Sequence, residues 1–485
     1  MKLGDLLKKI EIVETTADFD MEISGVCYDT RRLEAGQLFV AVRGYVSDGH
    51  AYFGEAVLKG AACVICEEAT GLDMPYVLVE DSRKALAGVS AAWFGYPASK
   101  LCIIGVTGTN GKTTVTSLLK QVIEACSGGK AGLIGTNGII IGDNEYVSDR
   151  TTPESYDLHE NLAKIASEGC RYVIMEVSSH ALFLNRVYGI EYAVGVYTNL
   201  SPDHLDFHAS MEEYAATKSL LFSVSHNSVI NIDDEYAPIM QSAASGSVYT
   251  YSVLNDAADF VAKSIKLQAE KADFCVLSVG SLERVELRIP GIFSVYNAMA
   301  VIAASRILGF DIGQISDALL NCTRVKGRAE VVTTGRDYTV IIDYAHTPDA
   351  LSNMITAARG FTQGRVVTLF GCGGDRDKTK RPLMGAIAAK LSDFVYVTSD
   401  NPRTENPGMI IDDILAGMQD TKTPYEVIEN RREAIYRALD KSIPGDVLIL
   451  AGKGHETYQI LGRDKVHFDE REVVADYYES VERKT

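Results

Sequence analysis

The chain has 485 residues, too many to gather round one hydrophobic core, so two to four domains are expected. With 46% apolar and 23% charged residues it reads as globular, and a net charge of -18 argues against a nucleic-acid binder, which needs clustered Lys and Arg. No apolar run approaches the ~20 residues that span a bilayer. The opening "MKLGDLLKKIEIVE" is amphipathic and lacks the continuous apolar stretch of a signal peptide, which points to a cytoplasmic protein.

Taken in chain order, residues 20 to 98 mix short strands ("QLFVAVRG", "ACVICEE", "PYVLVE") with helical stretches such as "SRKALAGVSAAWFG", a small α/β unit. Cys63 and Cys66 have CxxC spacing, but no second Cys/His pair follows nearby, and the stretch reads as two packed thiols in a buried strand rather than a zinc or redox site. The nine cysteines, an odd number, fit reduced thiols. "YPASKL" reads as a connector, with Pro97 ending the preceding helix. Strand-like "LCIIGV", "YVIMEV", "AVGVYTNL" and "SVINID" then alternate with helical segments such as "YDLHENLAKIASEG". That pattern predicts a parallel sheet covered on both faces, closed by an amphipathic helix in "VYNAMAVIAASRILGF". A second alternating block carries "YTVIIDY", "RVVTLFG", "DFVYVTS" and "DVLILAG", each followed by a loop and a helix. The reading is three α/β domains, 1–98, 99–326 and 327–485, with a central phosphate-loop domain and a Rossmann-like C-terminal one.

"GVTGTNGKTT", Gly105 to Thr114, follows a strand and opens a helix, the context a phosphate-binding loop requires. Gly108 and Gly111 let backbone amides converge on phosphate oxygens, Lys112 would reach the β/γ-phosphates, and a threonine hydroxyl would ligate Mg²⁺. The spacing departs from the strict Walker pattern, whose first glycine would fall at Val106 rather than Gly105. Glu176 ends "VIMEV", and Asp203, His204 and His208 follow the next strand, so all should face the crevice at the carboxyl edge of the sheet. A histidine is an unusual partner for Mg²⁺, and a solvated surface His204 stays open as the alternative.

"GTNGKTT", "EVSSHAL", "NLSPDHLDFH", "YNAMA", "VKGRAE" and "DYAHTPDAL" occur in this order, and together they resemble the Mur ligase family, which builds the peptide of peptidoglycan. "YDTRRLEAGQLFVAVRGYVSDGH" resembles that family's UDP-binding domain, so the likeness covers nearly the whole chain. It implies a cytoplasmic, monomeric ligase that phosphorylates the terminal carboxylate of a UDP-N-acetylmuramoyl peptide with ATP and lets an amino acid attack the acyl phosphate. By motif, Gly108, Thr109, Asn110, Gly111, Lys112, Thr113 and Thr114 would bind ATP, Asn297 adenine, and Arg328 and Asp343 phosphate and ribose. Thr113, Glu176 and His204 would hold magnesium, and Lys218, carbamylated in this family, a second magnesium; Lys112, Glu176, His204 and Lys218 would carry catalysis. The UDP-sugar dipeptide would meet Tyr28, Thr30, Tyr45, Val46, Ser47, Thr151, Thr152, Ser178 and Arg186. The chain departs from the family at Lys326, where proline is common, and at Leu184, where relatives often carry glutamine.

"TSDNPRTENP" sets Arg403 after a proline and brackets it with Asp400 and Glu405. Taken alone it is a proline-rich turn with a solvated arginine. Asp400, Asn401, Pro402 and Arg403 also resemble the signature of family members that add meso-diaminopimelate, whose distal end carries a carboxylate that a guanidinium grips bidentately. Arg376 would be the second carboxylate contact, and Gly452 with Glu456 would complete the pocket and receive the ammonium. The alternatives are a lysine-adding ligase, a folylpolyglutamate synthase, which lacks the N-terminal unit, and a non-catalytic nucleotide-binding protein that kept the fold.

Overall fold

The structure of the protein is a computed structural model that describes residues 1–44, 47–69, 73–148, 150–268, 271–323 and 325–482. Three sheets organise it. The first runs Glu14–Thr15, Tyr76–Leu78, Cys63–Cys66, Leu38–Val40, Val26–Cys27, parallel except at its first strand. The helix Ser82–Trp93 covers it, starting where the Asp81 carboxylate accepts from the amides of Arg83 and Lys84, and burying Leu86 and Val89 against Leu38, Val40 and Val77. Cys63 packs with that helix-side core while Cys66 packs with the opposite cluster, as residues three apart on a strand must. Facing apart, the two thiols cannot share a metal.

The second sheet has eleven strands. Its centre is Cys102–Thr107, flanked by Val194–Tyr197 and Tyr172–Glu176, with Glu176 beside Val106 and Tyr197 beside Thr107. Strands Ala131–Gly135 on one side and Asn227–Asn231, Ser247–Ser252 and Phe260–Leu267 on the other continue the parallel block. The expectation of a purely parallel sheet fails at both edges. Gly138–Ile141 and Asn144–Tyr146 extend one edge antiparallel, and Ala272–Ser278 and Ser281–Leu287 the other. These hairpins close on tight turns at Gly142 and Gly280, both with positive φ, and need no crossover helix.

The third sheet, Glu330–Val332, Thr339–Asp343, Val447–Ala451, Val366–Phe370, Phe394–Val397, Tyr425–Val427, is parallel except at Glu330–Val332. Its strand Val447–Ala451 is followed first by a hairpin, Tyr458–Leu461 with Asp464–His467, and only then by the helix Glu470–Glu482.

The helix Ile292–Ile307 is not the amphipathic closing helix the sequence suggests. It is buried almost all round, Val295 through Ser305, because it lies in one apolar core that continues from the central sheet into the C-terminal one through Ile341, Ile355 and Phe370. Among the described residues no helix is long and apolar enough to cross a membrane.

Gly105, the misplaced Walker glycine, has a packing role. It sits inside the strand Cys102–Thr107, and a Cβ there would come within 2.7 Å of the Tyr192 ring and 3.0 Å of Leu221. Gly105→Ala should therefore destabilise the protein by about 1–3 kcal/mol, the usual range for overpacking. Thermal denaturation checks this; an unchanged melting temperature contradicts it.

Candidate active site

The loop after Cys102–Thr107 turns through Gly108 (φ +147) and Gly111 (φ +86) into the helix Lys112–Ser127. A Cβ on Gly108 would overlap the Thr198 hydroxyl, and one on Gly111 would lie 2.6 Å from Asn297 Oδ1. The loop is fastened to the next crossover by Thr109 N donating to Asn199 O (2.8 Å) and Ser201 N to Thr109 Oγ1 (3.0 Å). Two lysine amines converge on one carbonyl: Lys112 Nζ and Lys218 Nζ donate to Gly108 O at 2.8 and 2.9 Å. Burial lowers the Lys112 ammonium below its ordinary range, and lowers Lys218 well below it, with Lys112 adding repulsion. Lys218 is 1% exposed. Burial thus disfavours the charged form of this amine.

Glu176, fully buried, accepts from Thr113 Oγ1 (3.1 Å), Thr136 N (2.8 Å) and Thr136 Oγ1 (3.1 Å). Its carboxylate and the Thr113 hydroxyl are hard oxygen donors beside the loop. Among the described residues no group of three or more His, Cys, Asp and Glu side chains makes a ready metal cage. That donor set fits Mg²⁺, which takes one or two protein oxygens and completes its octahedron with phosphates and water. His204, in the left-handed region at φ +56, lies 3.5 Å from Asp203 Oδ2 and packs against His180. His208 departs from the expectation that it faces the crevice. It is buried, stacked on Tyr214, and neither ring nitrogen has a hydrogen-bond partner among the described residues.

The C-terminal unit meets this edge directly. Arg328 Nη2 donates to Thr113 Oγ1 (3.1 Å) and its guanidinium lies over the Tyr344 ring; Asn110 Nδ2 donates to Asp349 Oδ2 (3.0 Å). Asp343, its carboxyl raised by burial, accepts from the amides of Ala329 and Ala345. Between the units lies a cavity of about 310 Å³, lined by Gly111, Thr114, Tyr296, Asn297, Arg328 and Asp343. Five of these, all but Tyr296, are expected nucleotide contacts, and they come from two units to share one space.

Toward the N-terminal unit, Thr152 Oγ1 donates to Glu176 O (2.8 Å), Ser178 caps the helix Ser179–Phe183, and Thr151 Oγ1 lies 3.1 Å from Thr136 Oγ1. Arg186 pairs with Glu154 at 3.2 Å. Tyr28 donates to Asp157 (2.5 Å) and Thr30 to Glu55 (2.9 Å), beside a small cavity lined by Tyr28, Arg32, Gln37 and Tyr156. Ser47 is exposed, and its carbonyl accepts from Gly44 N. Tyr45 and Val46 lie outside the described residues.

The loops after the C-terminal strands converge as expected, and their acids are matched to cations other than Arg403. Glu405 is held by Arg381 (2.9 Å) and Lys378 (3.0 Å); Asp400 and Glu456 both reach Lys453 Nζ (3.4 and 3.0 Å), with Asn401 bonding Glu456 (2.8 Å). Burial pushes the Asp400 carboxyl up, but Lys453 prevails and holds it below the usual range. Gly452 approaches so closely that a Cβ would sit 3.0 Å from Asp400 Oδ2. Arg403, in the left-handed region at φ +52, is pinned by its amide donating to Ile460 O (3.1 Å) and by Gly462 N donating to its carbonyl (2.8 Å). Its guanidinium donates to Gly374 O (2.7 Å) and forms no ion pair among the described residues. Arg376 is exposed and bonds the Asp375 carbonyl (2.9 Å). Sequence reasoning missed Lys453, Arg381 and Thr136. A lysine or arginine beside a glycine-rich loop reads as solvated, and only the topology buries these.

Matches to family descriptions cover most of the chain: "Mur ligase family, catalytic domain" over residues 22–93, "Mur ligase middle domain" over 106–305, and "Mur ligase, glutamate ligase domain" over 327–454. A UDP-N-acetylmuramoyl-L-alanyl-D-glutamate–2,6-diaminopimelate ligase of Caldanaerobacter subterraneus subsp. tengcongensis is 49% identical over 481 residues, 98% of each chain. One of Clostridium acetobutylicum is 44% identical over 481 residues, 98% of this chain and 99% of the relative. A solved structure of a ligase with the same description is 30% identical, covers 99% of both chains and superposes with a TM-score of 0.71.

The Glu405 carboxyl is held down to about 2, chiefly by its hydrogen bonds from Arg381. A depressed carboxyl contributes stability that is present above its ordinary 4.5 and lost as pH falls from 4.5 through 2. Thermal denaturation should therefore show a loss across that window that Arg381→Met diminishes, with the variant also less stable at pH 7. Identical pH profiles for the two proteins contradict the assignment.

Proposed function

The chain belongs to the Mur ligase family, and from that premise we propose that it joins meso-2,6-diaminopimelate to the D-glutamate of UDP-N-acetylmuramoyl-L-alanyl-D-glutamate, driven by ATP, in cytoplasmic peptidoglycan precursor synthesis. In this reading residues 1–98 hold the UDP-sugar, 99–326 ATP and 327–485 the incoming amino acid. The observation that carries the choice of amino acid is the pinned Arg403 guanidinium, which has no ion pair among the described residues, beside acids already matched to Arg381, Lys378 and Lys453.

A carboxylate is a poor electrophile, so it is first phosphorylated. A carboxylate oxygen bonds Pγ as the bond from Pγ to the bridging oxygen breaks, and ADP leaves with the electron pair. The amine nitrogen then bonds the acyl carbon, the carbon–oxygen bond breaks toward phosphate, and the proton shed by nitrogen ends on that phosphate. The amides of Gly108 to Thr114 with Lys112 cradle the nucleotide's phosphates, while Asn297, Arg328 and Asp343 fix its base and ribose end. Thr113 and Glu176, with His204 and a carbamylated Lys218, would hold magnesium, which would supply charge neutralisation at the phosphates. Burial, which lowers the Lys218 ammonium, suits carbamylation, because only a deprotonated amine adds to CO₂. Thr151, Thr152, Ser178 and Arg186 orient the dipeptide.

Arg403 grips the distal carboxylate of diaminopimelate, helped by Arg376, and the acids around Lys453 leave one net negative charge for its ammonium. L-Lysine lacks that carboxylate and would leave the guanidinium desolvated and unpaired, a mismatch that discriminates by roughly 10⁴ or more. Purified protein should release phosphate from ATP only when the UDP-dipeptide and meso-diaminopimelate are both present; comparable turnover with L-lysine would instead establish the lysine-adding reading. Arg403→Ala should raise the KM for diaminopimelate roughly 10²-fold, the loss of a charged hydrogen-bonded contact, with the KM for ATP within about twofold. Equal rises in both would show that Arg403 serves folding instead.

A further inference from the structure

Lys380 stands at the boundary between the C-terminal and central units with an incompletely compensated ammonium. It is the first residue of the helix Lys380–Leu391 and only 9% exposed, yet its ammonium donates no hydrogen bond among the described residues. Its one ion contact is Asp203 Oδ1 at 4.0 Å, across the boundary between the C-terminal and central units. That oxygen already accepts from His204 N at 3.0 Å. A nearly buried ammonium with one distant, shared counter-charge is incompletely compensated and attracts an anion.

Two further observations say which anion. Asp203 lies on the crossover that holds the phosphate loop, through Ser201 and Asn199 bonding Thr109. Lys380 also follows the loop that carries Arg376, and its neighbour Arg381, 1% exposed and bonded to Glu405, Asp413 and Gly373 O, fixes the start of the helix. Lys380 therefore sits between the phosphate loop and the Arg403 pocket, where the carboxylate, the transferring phosphoryl group and the amine must meet. The helix adds its first-turn amides, since Thr379 makes no side-chain cap there.

We propose that Lys380 is a catalytic residue whose ammonium contacts the phosphoryl oxygens, both while the oxygen–Pγ bond forms and ADP departs and while the amine expels inorganic phosphate, which leaves with the electron pair of the breaking carbon–oxygen bond. Lys380 adds a fixed charge where negative charge gathers and exchanges no proton. The C-terminal unit delivers this charge, so docking of that unit completes the site. The inference rests on the ligase reading given above.

The test compares the parent chain with Lys380→Met and Lys380→Arg, each assayed by phosphate release with the UDP-dipeptide and diaminopimelate. The first step is read alone by positional isotope exchange of the ATP β,γ-bridging oxygen with the UDP-dipeptide and no amino acid. Lys380→Met should lower kcat and the exchange rate about 10²-fold or more, the loss typical of removing one such donor. The KM values for ATP and diaminopimelate should stay within about threefold and the melting temperature should not change. Lys380→Arg, which keeps the charge, should recover part of the rate. The inference is overturned by Lys380→Met matching the parent, or by a kcat loss that comes with proportionate rises in every KM and a lower melting temperature, the signature of a mere latch to Asp203. A parent chain that turns over while Lys380→Met equals it leaves the function standing; a parent that does not turn over overturns both.

Discussion

Arg403 carries a guanidinium that pairs with no carboxylate among the described residues. That is unusual in a region so rich in acids, and it comes about because the acids round the pocket are engaged elsewhere: Glu405 with Arg381 and Lys378, Asp400 and Glu456 with Lys453, and Asp375 with the amide and hydroxyl of Thr404. Had either acid folded onto Arg403, an intramolecular pair would compete with any ligand carboxylate. The compensation of the neighbours and the availability of the guanidinium are one arrangement. The backbone completes it, since the left-handed conformation at Arg403 and its bonds to Ile460 and Gly462 leave the side chain little freedom to lose on binding.

The same logic extends across the cleft. Two parallel sheets present their carboxyl edges to each other, held together by the apolar core around the helix Ile292–Ile307. Charged side chains then cross the gap: Arg328 to Thr113 and Lys380 toward Asp203. On the central side, Lys112 and Lys218 share one carbonyl. Several cations thus gather at the phosphate-loop end of the cleft, which is what a site for a polyphosphate and a carboxylate requires.

Much of this was legible in the sequence, for reasons particular to the residues. Near-continuous apolar runs such as "YVIMEV" mark strands buried on both faces, and "GTNGKTT" marks a loop whose glycines only a phosphate cradle or close packing demands. The convergence of the four C-terminal loops followed from parallel strand order alone. What the sequence hid depends on long-range pairing. "DNPRTE" places Asp400 and Glu405 beside Arg403, yet their partners come from residues 378, 381 and 453, and no local pattern announces a buried lysine such as Lys453. The antiparallel edge hairpins were hidden because short strands of mixed polarity such as Ser281–Leu287 look like loop. The role of Gly105 was hidden because it is set by Tyr192, far along the chain. His208 was misplaced because chain proximity to His204 says nothing about which way a ring points.

The most direct measurement of the central claim is a crystal structure of the protein with meso-diaminopimelate bound. The account predicts the distal carboxylate in a two-pronged contact with the Arg403 guanidinium and the adjoining ammonium on the Glu456 side of the pocket. A distal end bound away from Arg403, or one whose carboxylate faces solvent while Arg403 stays on the Gly374 carbonyl, would contradict it.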